Sequence, residues 1–118
     1  MTARLDLRTT TEGSSIVVAA EGDIDLATAP AFRDHVLGEI DVEPMRLVLD
    51  LSGVGFIDST GIGVIVLVRR KVRVRRGELH IVASRRVRAA LRLAALEQAL
   101  NLHERLADAL GHEAGEPA

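Results

Sequence analysis

Leu49-Asp50-Leu51-Ser52-Gly53-Val54-Gly55-Phe56-Ile57-Asp58-Ser59-Thr60-Gly61-Ile62-Gly63 joins a strand-like apolar run to a glycine-rich turn and a cluster of small polar residues. No charge occurs from Ile62 to Val68. This order places Ser59 and Thr60 where a loop enters a helix. Backbone N–H groups at a helix start lack intrahelical partners and favour a hydroxyl or an anion. Five valine or isoleucine residues between Ile62 and Val68 favour strand by propensity. Against that, Val64, Ile65, Val68 and Val72 recur at helical spacing, and Arg69 to Lys71 suit a helix C-terminus. We therefore expect a helix from Asp58 to about Val72.

Working outward, Leu47 to Leu51 reads as a central strand. Leu5 and Leu7 alternate with Arg4, Asp6 and Arg8, the pattern of a half-buried strand. Glu12-Gly13-Ser14 is a turn signal, and the apolar run Ile16 to Ala20 suits a strand covered on both faces. The two strands make a hairpin, ended by Gly22-Asp23-Ile24-Asp25. A helix follows with Pro30 in its first turn, where a missing N–H costs little. Ala29, Phe32, Val36 and Ile40 share one of its faces, with Arg33, Asp34 and Glu39 toward solvent. Pro44 closes the connection. Beyond Gly77, Leu79 to Ala83 is the next strand. Ser84 is placed to cap a helix carrying Val87, Ala90, Leu91 and Ala94. Leu100 to Leu102 reads as a short last strand, and Leu106, Ala109 and Leu110 mark a final helix. Alternation of this kind predicts an α/β fold with mostly parallel strands. The 118 residues are expected to form one domain, 1–118, with 111–118 as a frayed tail.

Composition narrows the function. Hydrophobic residues make up 47%, which supports a globular fold. Without Trp or Tyr, and with only Phe32 and Phe56 as aromatics, the core is aliphatic and stacking platforms for bases are nearly absent. The absence of cysteine excludes disulfides, thiol catalysis and Cys-ligated zinc. The charges Arg4, Asp6 and Arg8 break any signal-peptide run, and no uncharged stretch approaches the roughly 18 residues of a membrane span. A cytoplasmic protein is the expectation. The net charge of -2 argues against bulk affinity for nucleic acid, yet ten of the 15 basic residues fall between Arg69 and Arg92 with Glu78 the sole acid among them.

Several chemistries fail on spacing. Asp58 to Gly61 has one residue too many for the Asp-Thr-Gly or Asp-Ser-Gly of aspartic proteases. Gly53-Val54-Gly55 meets Asp58 where a dinucleotide fingerprint needs its third glycine, and no P-loop lysine is present. There is no Gly-x-Ser-x-Gly elbow. His35, His80, His103 and His112 are scattered, none at metal-ligand spacing from another, and His35 with Glu39 reads as a surface pair. Asp58-Ser59-Thr60-Gly61 serves either as a plain helix cap or as part of a docking surface. Three capping residues in a row exceed what a cap needs, and the preceding Val54, Phe56 and Ile57 form an apolar patch beside them. Asp23 and Asp25 read equally as a turn before the next helix. Arg69 to Arg76 holds six basic residues, read as a solvated helix end or as a contact for an acidic partner, RNA or anionic lipid. Val72 and Val74 interrupt that run as residues that pack.

Leu49 to Gly63 and Gly22 to Asp25 resemble the STAS domain, the module of sulphate transporters and bacterial anti-sigma factor antagonists. The likeness extends in element order from about Leu5 to Leu110. It implies an open mixed sheet of four or five strands with about four helices packed on it. It further implies an anti-sigma factor antagonist, whose unphosphorylated form binds a kinase-type anti-sigma factor and releases the sigma factor. Ser59 matches the serine that this kinase phosphorylates to end binding, and a phosphoserine phosphatase resets the cycle. Asp25 matches the aspartate of a Gly-Glu-Leu-Asp-like motif that helps partner recognition near that serine, with Asp23 and Ile24 as mild departures. Asp23, Asp25, Asp58, Ser59, Thr60 and Gly61 are thus the partner-binding residues the resemblance implies. It implies no catalytic residue, metal or cofactor here, since ATP belongs to the partner, and no direct nucleic-acid contact. The chain departs from the family in lacking a glycine between Leu93 and Leu96 and in its heavier basic segment. The same fold also serves as a soluble subunit of transport machinery, such as lipid-transport ABC complexes, or as a stress-sensing scaffold, and that alternative stays open.

Overall fold

The computed structural model describes residues 4–41, 43 and 45–111. Nine elements follow in the order β1 (Leu5–Glu12), β2 (Ser15–Ile24), α1 (Ala29–Leu37), β3 (Arg46–Ile57), α2 (Ser59–Val74), β4 (Glu78–Ala83), α3 (Arg85–Leu93), β5 (Asn101–His103) and α4 (Leu106–Leu110). Five strands form one sheet in the order β1-β2-β3-β4-β5. β1 pairs antiparallel with β2 as a hairpin, and every later pair is parallel with a helix between its strands. The expected open mixed sheet with four helices is therefore what forms.

Helices cover both faces of the sheet. On one face Val18, Leu47, Leu49, Leu51 and Ile81 pack with Phe32 and Val36 of α1, Ile65, Val68 and Val72 of α2, and Val87 and Leu91 of α3. On the other, Val17, Val48 and Val82 lie under Ala109 and Leu110 of α4. Burial on both sides is why β2, β3 and β4 read as near-continuous apolar runs. The segment after Asp58 is helical despite its β-branched residues. Gly61, Val64, Ile65, Val68 and Val72 are its buried positions, a spacing only a helix turns toward one side. Burial of that stripe outweighs the small propensity cost of Val and Ile.

Two local expectations need correction. The glycines of β3 do not make a turn. The strand continues through Gly53 and Gly55 to Ile57, because its second half pairs with Glu21 to Ile24 of β2. β2 ends at Ile24, within the Gly22 to Asp25 run expected to end it. Val74 is 72% exposed, so of the two valines in the basic run only Val72 packs. Pro44 and, beyond Gly111, the expected tail lie outside the described residues. Among the described residues no helix is long and apolar enough to cross a membrane.

Candidate functional site

The C-terminal ends of β2 and β3 bring the two acidic motifs together. Asp23 pairs with Phe56 and Ile24 with Ile57, and the Asp58 N–H donates to the Ile24 carbonyl at 3.1 Å. A register shift falls between Gly22 and Asp23. Gly22 stands at φ +125, and a Cβ there would collide with the Arg4 carbonyl, so the bend at the end of β2 depends on glycine. Past the bend, Asp25 closes a tight turn. Its carboxylate accepts from the N–H groups of Ala27 and Thr28 at 3.0 and 3.2 Å, while the Thr28 hydroxyl donates to the Asp23 carbonyl at 2.7 Å. Asp25 thus shapes the loop that reaches Leu26, and its charge is engaged locally.

Asp58 is the N-cap of α2. Its carboxylate accepts from the N–H groups of Thr60 at 2.9 Å and Gly61 at 3.3 Å, and from the Thr60 hydroxyl. The Thr60 hydroxyl is the main reason the Asp58 carboxyl is held below the usual range. The N–H groups of Gly61, Thr60 and Leu26 add to it against the opposing cost of desolvation. Gly61 is buried under β2 and β3, where an added Cβ would stand 2.6 Å from Ile24 Cγ2 and 2.7 Å from Ile57 Cγ1. That packing seats the helix start against the sheet.

The three adjacent polar residues therefore divide into different roles. Asp58 caps, Thr60 is half-buried with its hydroxyl committed to Asp58, and Ser59 is exposed at the first position of the helix. Among the described residues the Ser59 hydroxyl makes no hydrogen bond. The apolar loop expected before it is in fact strand, with Val54 and Ile57 buried. Phe56, 48% exposed, is the one that faces out. Sequence reasoning missed Leu26, which is 74% exposed on the adjoining turn. Its signal was a leucine inside the turn-forming run Asp25 to Thr28, where no helical or strand period accounts for it.

One histidine reading is corrected. His35 bonds the Thr9 hydroxyl at 2.7 Å rather than pairing with Glu39. His80 and His103, far apart in sequence, meet across β4 and β5 with Nδ1 and Nε2 3.0 Å apart. Among the described residues no group of three or more His, Cys, Asp or Glu is arranged to hold a metal ion.

Residues 6–109 match the model of the STAS domain. The chain belongs to that family. It is 30% identical over 64 residues to BtrV of Bordetella bronchiseptica, named as a candidate anti-sigma factor antagonist. That alignment covers 54% of this chain and spans about half, 55%, of BtrV. The structure superposes on an anti-sigma factor antagonist from Mycobacterium paratuberculosis with a TM-score of 0.80 and 26% identity, covering 91% of this chain and 92% of the other. The unphosphorylated form of the antagonist SpoIIAA shares the fold with a TM-score of 0.63 and 13% identity, over 86% and 89% of the two chains.

Proposed function

We propose that this STAS domain is an anti-sigma factor antagonist switched by phosphorylation of Ser59. The observation that carries this is the contrast at the start of α2, an exposed and unbonded Ser59 hydroxyl beside a Thr60 hydroxyl bound to Asp58. A kinase-type anti-sigma factor docks on the surface around it, with Leu26 and Phe56 supplying apolar contact, and sigma factor is released. The partner holds ATP. The Ser59 oxygen attacks the γ-phosphorus, an O–P bond forms as the bond to ADP breaks, and the hydroxyl proton passes to a base on the partner. This chain is the substrate of that step and not its catalyst.

The consequence of the transfer follows from charge. Phosphate adds about -1.5 to -2 units at a helix start, whose dipole tolerates an anion. The Thr60 and Gly61 N–H groups are already taken by the Asp58 carboxylate, so the phosphate meets repulsion from Asp58 in place of those two donors. Desolvating it in an interface costs several kcal/mol per ion unless it is paired. Binding ends, and a phosphoserine phosphatase restores it.

Mass spectrometry after incubation with the cognate kinase and ATP tests the site. Phosphate is expected on Ser59, with none on Thr60. Label persisting in Ser59→Ala places the modification elsewhere, and no label at all returns the chain to the transport or scaffold alternative.

A further inference from the structure

The other end of α2 carries a feature that the switch does not use. Arg69, Arg70, Lys71, Arg73, Arg75 and Arg76 crowd one end of the helix. Five arginines elsewhere are paired, Arg33 with Asp34, Arg46 with Glu78, Arg88 and Arg92 with Glu97, and Arg105 with Asp108, while Arg4, Arg8, Arg85 and Arg86 form no salt bridge among the described residues. Among the described residues none of the six in the cluster forms a salt bridge. Like charges at i, i+4, as in Arg69 with Arg73 and Lys71 with Arg75, repel, and the helix dipole offsets this only in part. Arg76 also sits at φ +60, a left-handed conformation that glycine adopts freely and a side chain does not.

Beside the cluster is a groove. Arg69 and Arg73 line a concavity of about 240 Å³ together with Leu79, Ala99, Leu100 and Asn101. Glu78 also lines it, but its carboxylate is held by Arg46 at 3.1 Å and His80 at 3.0 Å. The space is smaller than the roughly 300–1,000 Å³ of a drug-sized ligand site and suits a side chain or two. Exposed Val74 adds apolar surface on the same helix end.

We propose that this end of α2 is a second docking surface, taking an acidic protein segment that lays one aliphatic side chain into the groove between carboxylates. Charge complementarity selects an acidic occupant. The chemistry disfavours two other polyanions. Tight single-strand RNA readers add aromatic stacking to phosphate contacts, and here Phe32 is buried and Phe56 belongs to the Ser59 end. An anionic bilayer attracts the same cations at its surface, but insertion needs a broad apolar face and this helix end offers Val74 alone, so a bilayer leaves the groove unfilled. By helix rise Arg69 lies about 15 Å and Arg73 about 21 Å along α2 from Ser59, so the two surfaces are separate.

Fluorescence anisotropy with a fluorescein-labelled polyglutamate peptide carrying one central leucine tests the proposal on the full chain. Saturable binding is expected, weakening as salt rises. Arg69→Gln with Arg73→Gln is expected to lower affinity about tenfold, and Arg85→Gln with Arg86→Gln on α3 less than about twofold. A peptide with glycine in place of leucine is expected to bind more weakly. Arg73 is exposed, so the single Arg73→Gln variant, with melting curves alongside, separates lost binding from lost folding. Equal losses in both double variants, or binding indifferent to the leucine, would show charge without a groove and overturn the site. Tighter binding to phosphatidylglycerol vesicles or to oligouridylate would overturn the choice of partner.

Discussion

Asp58 and Ser59 are neighbours with opposite fates, one tied into the helix start and the other left in solvent. Removing the cap in Asp58→Ala is expected to cost about 1 kcal/mol, read from urea unfolding, because two N–H groups of α2 lose their acceptor. The same bonds set an acid dependence. The folded carboxyl titrates below its unfolded value, so its stabilisation is complete above about pH 4 and is lost as pH falls through the folded value. Asp58→Asn is expected to abolish that part of the acid sensitivity. The glycines of the motif differ as sharply. Gly61→Ala drives a methyl into Ile24 and Ile57 and is expected to destabilise by about 1–3 kcal/mol. Gly63→Ala meets nothing within 4 Å and is expected to stabilise by up to about 1 kcal/mol through helix propensity. Thermal melts of the two variants should move in opposite directions.

At the scale of elements, the far edge of the sheet is fastened by a polar chain. Arg46 donates to the Ala109 carbonyl at 2.8 Å and to Glu78 at 3.1 Å. Glu78 meets His80 at 3.0 Å, and His80 meets His103. This joins β3, β4, β5 and α4, two of which are only three and five residues long. Burial is the main cause holding His103 below its ordinary value, with the His80 charge next and Asp108 opposing. In the unfolded chain His103 takes up its proton near pH 6.5, whereas the folded chain resists it. Stability is therefore expected to fall as pH drops below about 6.5, until the folded value is reached. Melting temperatures measured across that range should flatten in His103→Gln.

For the whole molecule, the proposed switch predicts a separation of binding from folding. Ser59 is exposed and bears no structural bond, so Ser59→Ala, Ser59→Asp and the phosphorylated chain are expected to melt near the wild type. Their affinities for the anti-sigma factor should differ, with Ser59→Asp weaker than Ser59→Ala in calorimetric titration. Equal affinities would reduce Ser59 to a helix-start residue. A large loss of melting temperature in Ser59→Asp would mean that the charge acts through folding. Charge is also distributed along the molecule. Asp23, Asp25 and Asp58 stand by the start of α2 and six cations by its end, so added salt should act differently on the two surfaces.

Order and type of the elements were legible in the amino-acid sequence because they rest on local physics. Alternation marked β1, apolar runs marked β2 to β4, and helical spacing carried α2 past its own strand propensity. Ser84 capped α3 as expected, accepting from the Val87 N–H at 3.2 Å. The motif from Asp58 to Gly61 was legible too, since small polar residues ahead of an apolar stripe have few other uses. Tertiary structure alone decided which hydroxyl stays free, how far β3 extends, and that His80 meets His103. Each of these depends on pairing between strands, which spacing along the chain does not encode. Leu26 and Phe56 come from different segments, and only the parallel register of β2 with β3 carries both to the Ser59 end.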